Sequence, residues 1–148
     1  MNVIGAITAG LAGTAALTMV MSMAPKMDML EMDIVGMLGS MFGKPNRMLG
    51  MVIHLIMGIV FALIYAYVLS LGIGSATWLY GLIFGAVHWL IVGIGMAMIP
   101  MMHAGIKSGA VKAPGMWMTN NGGMKAFVGG LMGHMIFGLA AVLVYNLF

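Results

Sequence analysis

Residues 50–71 read GMVIHLIMGIVFALIYAYVLSL, which is 22 residues without an Asp, Glu, Lys or Arg. About 20 apolar residues in a helix cross the hydrocarbon core of a bilayer. Three further stretches meet the same criterion, so the sequence predicts an all-α integral membrane protein, a bundle of four transmembrane helices. The predicted spans are about Val3–Ala24, Gly50–Leu71, Thr77–Ile99 and Ala126–Phe148.

The composition excludes several classes of protein. Of the 148 residues, 63% are apolar and 6% are charged, and the mean hydropathy is +1.12. A soluble domain has about a quarter of its residues charged, and a disordered chain combines low hydrophobicity with high net charge, so neither class fits. The chain has no cysteine, which excludes disulfides, zinc-thiolate sites, iron–sulfur clusters and a thiol nucleophile. Its length predicts a single transmembrane domain over residues 1–148.

The basic residues predict the orientation in the membrane. All six lie in two loops, at Lys26, Lys44, Arg47, Lys107, Lys112 and Lys125. Because cytoplasmic loops of membrane proteins are enriched in Lys and Arg, we expect loops 25–49 and 100–125 in the cytoplasm. Both termini are then outside, in a prokaryotic inner or plasma membrane. The six charges are too dispersed for a nucleic-acid-binding patch.

Each long loop carries a feature typical of the membrane interface. The stretch Met27–Phe42 is acidic at its start and apolar afterwards, which predicts a short interfacial helix that ends at Gly43–Pro45. In the second loop we expect Trp117 at the level of the lipid headgroups.

The chain contains an internal repeat. Residues of the second span recur in the fourth span 80 positions later, including His54 and His134. The first and third spans match more weakly at an offset of 75, for example at Gly10 and Gly85. The sequence therefore predicts two tandem two-span units, about 1–72 and 76–148, related by an axis along the membrane normal.

Each predicted span has a stripe of small residues, which lets membrane helices approach closely. Each of the histidines in spans two, three and four lies on such a stripe, so we expect all three inside the bundle. The stripes are Ala6, Gly10, Thr14, Thr18 and Ser22; Gly50, His54, Gly58, Ala62 and Tyr65; Gly81, Gly85, His88, Val92 and Gly95; and Gly130, His134, Gly138, Ala141 and Tyr145.

The intramembrane histidines have several interpretations. They can be structural, each donating a hydrogen bond to a neighbouring helix. The repeated pair His54 and His134 can instead ligate a haem, with Gly58 and Gly138 one turn away leaving room for the macrocycle. A proton relay is a further alternative.

A copper site is the other cofactor interpretation, because imidazole and thioether groups suit copper. The histidines of the spans, His54, His88 and His134, can contribute to it. His103 follows a methionine-rich segment, and His103, Met98 and Met102 are the further candidate ligands for a soft metal. The 21 methionines of the chain are also explained as flexible apolar fillers of irregular packing.

Several motifs resemble an uncharacterised family of short four-span prokaryotic membrane proteins, and the resemblance covers nearly the whole chain. It implies the four-span topology and no assigned activity. The motifs are Met21-Ser-Met23-Ala-Pro25, His54-x3-Gly58 with Phe61-Ala-Leu-Ile-Tyr65, Gly85-Ala-Val-His88-Trp89, Met98-Ile-Pro100-Met-Met-His103 and Gly133-His134-x3-Gly138.

For function, the sequence shows no catalytic constellation. We therefore expect a small non-catalytic subunit or partner of a larger membrane complex, such as a redox complex or a metalloenzyme, or a homo-oligomer. The alternative is a haem- or copper-binding membrane protein that uses the histidine cluster. A small transporter is a weaker alternative, because the repeat fits but the spans carry no charge.

Overall fold

The computed structural model describes residues 1–23 and 33–148. This part of the chain is helical and contains no β-strand. The helices are α1 (Val3–Met23), α2 (Ile34–Gly39), α3 (Arg47–Ser70), α4 (Trp78–Met96), α5 (Ile99–Met102), α6 (Ala104–Lys107) and α7 (Gly123–Tyr145), with a 3-10 helix at Met116–Asn121 between α6 and α7.

Four of these helices, α1, α3, α4 and α7, are long and apolar enough to cross a membrane. They are compatible with a membrane protein, and they match the four predicted spans to within about three residues at each end. At the start of α3, a helix cap explains the difference between the predicted and the observed end. The α3 helix begins at Arg47, because the side chain of Asn46 accepts a hydrogen bond from the backbone N–H of Leu49 at 3.0 Å.

The predicted interfacial helix over Met27–Phe42 is shorter than expected in the described residues. Residues 27–32 lie outside them, and α2 occupies only Ile34–Gly39. Asp33 caps its start by accepting from the N–H of Gly36, and it also forms an ion pair with Arg47. The α2 helix packs against α3, with Met37 and Leu38 buried. Its apolar face therefore covers the end of the bundle.

The four long helices pack in the order α3, α1, α7, α4. The α7 helix packs along both α1 and α4, and α1 also packs along α3. The first and last helices of this row, α3 and α4, do not pack along each other. They meet through side chains at mid-length, where Phe61 and Tyr65 of α3 contact His88 of α4.

Glycines allow the closest helix contacts. A Cβ atom added at Gly10 of α1 would lie 2.6 Å from the Cα of Ile59 on α3. A Cβ atom at Gly85 of α4 would lie 2.6 Å from the Cα of Met135 on α7. At both places the backbones meet without intervening side chains, as is typical of small-residue contacts in membranes.

The predicted small-residue stripes are largely buried. The α3 stripe, which includes His54 and Gly58, is buried at all five positions. The prediction is wrong at Ser22 and Gly95, which are exposed. The physical reason at Gly95 is that α3 does not pack along α4, so among the described residues an added Cβ meets no atom within 4 Å beyond the nearby backbone of its own helix.

The loop between α6 and α7 folds back onto the spans through the 3-10 helix. Trp117 donates its indole N–H to the backbone oxygen of Leu90 in α4 at 3.2 Å and packs edge-on against Phe127 of α7. Trp117 and Met118 both have positive φ angles, 49° and 61°. Residues other than glycine rarely adopt this left-handed backbone conformation. Packing therefore holds the segment in place.

Candidate ligand cavity

A cavity of about 390 Å³ lies among the four long helices. It occupies the end of the bundle where α1 and α4 terminate and α3 and α7 begin, which is the end predicted to be cytoplasmic. Residues of α2 and Met118 of the 3-10 helix close it on that side. Its lining is mostly aliphatic, aromatic and methionine side chains, with His54, His88 and His134 as the main polar groups.

Within the described residues, the cavity opens between α3 and α4. Among its described lining residues, three are exposed at the outer surface, namely Met57 on α3 and Ile91 and Gly95 on α4. Ile91 is 63% exposed. Because these helices do not pack along each other, the mouth faces sideways, in the direction of the surrounding lipid in a membrane.

His134 has a defined tautomer. Its Nδ1 atom lies 2.8 Å from the backbone oxygen of Gly130, one turn earlier in α7. A carbonyl oxygen only accepts, so Nδ1 carries the hydrogen, and in the neutral ring Nε2 carries the lone pair. The rings of Trp89 and His88 lie 4.8 Å from the His134 ring, centroid to centroid, and fix its orientation.

His88 links the two helices that flank the mouth. Its Nδ1 atom is 3.0 Å from the hydroxyl of Tyr65, and the ring of Phe61 stacks on its imidazole with centroids 3.7 Å apart. Both partners belong to α3. These contacts join α3 to α4 at mid-length. The opening between the two helices ends there.

His54 is the least constrained of the three histidines. Its side chain is buried and lines the cavity, and it has no hydrogen-bond partner within residues 1–23 and 33–148. In the same ranges, the only fully enclosed side-chain nitrogen or oxygen without a hydrogen bond is Trp89 Nε1. The unpartnered ring nitrogens of the histidines therefore keep contact with the open space of the cavity.

The residues of the haem and metal interpretations are partly brought together by the fold. The structure brings His54 and His134 to one cavity, but Gly58 packs against Thr14 of α1, and Gly138 packs against Gly81 and Gly85 of α4. These glycines take part in helix packing, and Gly58 also lines the cavity, so the haem interpretation stays a prediction. Among the described residues, no group of three or more His, Cys, Asp or Glu side chains is placed to hold a metal ion.

His103 lies away from the three other histidines and has a structural environment. Its Nε2 is 2.9 Å from the backbone oxygen of Met37, and its Nδ1 accepts from the N–H of Ile106 at 3.1 Å. Both ring nitrogens are therefore used in joining α2 to α6. Met98 and Met102, the other candidate ligands, are exposed and do not line the cavity.

Several cavity residues were not among the candidates from the sequence. Met21, Met37, Met57, Met96 and Met118 reach the cavity from five different elements. Their type gave no signal, because methionine is frequent throughout the chain. Met118 was the least accessible to prediction, since its position depends on the left-handed backbone of the 3-10 segment.

The fold and the cavity together define the class, an all-helical chain with four potential membrane spans and a histidine-lined cavity between them. Comparisons with protein-family models, with curated proteins and with solved structures gave no match.

Proposed function

We propose that this protein binds a lipid-soluble small molecule inside the membrane, in the cavity between α3 and α4. The observation that supports the proposal is the cavity itself. Its volume, about 390 Å³, falls in the range of small-molecule sites, which run from about 300 to 1,000 Å³. Its apolar walls, its few convergent polar groups and its sideways mouth fit a ligand that arrives from the bilayer.

The histidines supply the selectivity in this proposal. Lipid tails are about as apolar as leucine, so a pure hydrocarbon gains little by moving from the bilayer into an apolar cavity. A polar group on the ligand has no partner among lipid tails, where an unmade hydrogen bond costs several kcal/mol. His54 and His134 have ring nitrogens that make no hydrogen bond within the described residues, and these nitrogens offer such a partner.

The strained backbone at Met118 also supports a ligand site. Left-handed non-glycine residues cost of order 1–3 kcal/mol each and cluster at binding sites, where surrounding packing holds them. Met118 is buried, has a φ of 61°, and lines the same cavity as the histidines.

The internal repeat remains part of the proposal. Gly10 and Gly58 make a close contact between α1 and α3, and the residues at the repeat offsets, Gly85 and Gly138, make the corresponding contact between α4 and α7. The repeat does not extend to the other pairs, because α1 packs along α7 whereas α4 and α3 stay apart. We propose that the cavity arose at this unequal seam.

The expectation of a small accessory subunit stays a prediction. The described helices expose many apolar side chains, for example Ile56, Val60 and Ile83. Such a surface suits lipid as well as a partner protein, so exposure alone does not favour a complex.

The experiment compares two phenylalanine substitutions in protein purified from its native membrane in mild detergent. Gly95→Phe places a ring at the mouth of the cavity, where an added Cβ contacts no other element among the described residues within 4 Å. Ile94→Phe is the matched control, because Ile94 is exposed and does not line the cavity. Native mass spectrometry then measures the small molecules that remain bound.

We expect a bound small molecule in the wild type and in Ile94→Phe, and its loss in Gly95→Phe. Equal amounts in the two variants, or no bound species above the detergent background in the wild type, would contradict the proposal.

A further inference from the structure

The fixed tautomer of His134 limits the ligands that the cavity can prefer. Nδ1 is committed to the backbone oxygen of Gly130 at 2.8 Å, so the neutral ring presents a lone pair at Nε2 and no second N–H. His134 is therefore an acceptor towards the cavity. A ligand group that itself only accepts, such as an ether or an ester oxygen, gains nothing from it.

The ring of His134 is also held in place. The rings of Trp89 and His88 both contact it, each with its centroid 4.8 Å from the centroid of the His134 ring. Trp89 is completely buried, and the ring of Trp89 in turn fills the space beside Gly130. Because the acceptor atom cannot easily turn away, it defines a fixed point for a hydrogen-bond donor.

Of the three cavity histidines, His134 is the one whose role towards the cavity is fixed by a described contact, the bond from Nδ1 to the backbone oxygen of Gly130. His88 already shares its Nδ1 with the hydroxyl of Tyr65. His54 has no hydrogen-bond partner in the described residues, so no described contact decides which of its ring nitrogens carries the hydrogen. No Asp, Glu, Lys or Arg side chain lines the cavity in the part of the chain that the structure describes.

From these contacts we infer that the cavity selects lipophilic molecules carrying a hydroxyl group, such as an alkylated phenol or a long-chain alcohol, and that His134 Nε2 accepts the hydroxyl hydrogen. This inference rests on the proposed function, since it names the ligand class of the same cavity.

The test uses two probes that differ in one hydrogen-bond donor, 3-bromo-5-hexylphenol and its methyl ether. Bromine quenches tryptophan fluorescence at short range, and Trp89 lies beside His134. Each probe is titrated into purified protein in detergent. The Gly95→Phe variant, with its mouth filled, gives the background from probe that has only entered the micelle.

We expect the phenol to bind the wild type about threefold to tenfold more tightly than the ether, the ratio that one net hydrogen bond supplies. In His134→Leu the ether should bind as before and the preference for the phenol should disappear. The ratio of the two dissociation constants, for the phenol and for the ether, is measured on the wild type alone. This comparison therefore holds even if His134→Leu fails to fold.

Two other outcomes separate the inference from the proposal beneath it. Equal binding of both probes to the wild type, with both weakened in Gly95→Phe, overturns the hydroxyl preference and leaves the cavity as a binding site. Quenching that is the same in the wild type and in Gly95→Phe overturns the proposed function itself.

Discussion

His103 and His134 both donate to a backbone carbonyl, yet within the described residues only His134 keeps a ring nitrogen without a hydrogen-bond partner. In His103 the second nitrogen accepts from Ile106, so the side chain is fully used within the protein. The sequence placed both histidines among the candidate ligands. It could not separate them, because the difference depends on which backbone groups come within 3 Å after folding.

Glycine positions were easier to predict than histidine roles. Spacing along the helices indicated Gly10, Gly58, Gly85 and Gly138 as packing positions, and all four are buried in helix contacts. The prediction succeeds because a small-residue stripe determines close approach almost by itself. The prediction fails at Gly95 of α4, because α3 does not pack along α4.

A glycine in a close helix contact and a glycine beside open space should differ in how much a substitution lowers the free energy of unfolding. Gly10→Ala would push the new methyl group against the backbone of α3, so we expect a loss of about 1–3 kcal/mol in stability, as for other overpacked positions. Gly95→Ala, the control on α4, meets open space and should leave stability almost unchanged. Thermal unfolding followed by circular dichroism in one detergent compares them. Equal destabilisation would contradict the packing described.

At the scale of the elements, the spans follow from hydropathy and the loops do not. The lengths of the four long helices are set by apolar composition, and caps such as Asn46 shift their ends by a few residues. Neither composition nor a cap predicted the 3-10 helix at Met116–Asn121. Its left-handed residues are Trp117 and Met118 rather than glycine or asparagine, and tertiary packing against α4 and α7 overrides their local preference.

The contact between Trp117 and α4 can be broken from the α4 side. An added Cβ at Gly93 would overlap the Trp117 indole ring, so Gly93→Ala should displace it from Leu90 and from Phe127. We expect a red shift of the fluorescence that Trp117 contributes, obtained by subtracting the spectrum of a Trp117→Phe background. Gly95→Ala, half a turn further along the same helix, is the control. An unchanged spectrum in Gly93→Ala would show that Trp117 packs elsewhere.

At the scale of the whole molecule, the informative feature is the unequal packing of the helices. A tandem repeat alone predicts that the seam between α3 and α4 resembles the seam between α1 and α7. The structure closes only the second of these and leaves the first open beside the histidines. The sequence could not indicate this asymmetry, because it involves positions at which the two units differ, including Phe61, Met118 and the short helix α2.

Orientation in the membrane is a separate prediction at this scale. The chain has no cysteine, so single cysteines report their own accessibility. We expect Lys112→Cys to react with an impermeant thiol reagent only from the cytoplasmic side and Ser75→Cys only from the outer side, because the basic residues are all in the long loops. Permeabilised cells give the total reactivity of each. The reverse pattern would invert the topology and place the cavity in the outer half of the membrane.

The central claim is that a lipid-soluble molecule enters between α3 and α4, and photolabelling in the native membrane tests it most directly. The probe is a long-chain alcohol with a diazirine, and mass spectrometry maps the labelled residues. Met37 and Met96 line the cavity but are only 3% and 6% exposed, whereas Ile94 faces outward. We predict labelling at all three, with 3-bromo-5-hexylphenol suppressing it at Met37 and Met96 but not at Ile94. Labelling confined to outward residues such as Ile94 would contradict the account.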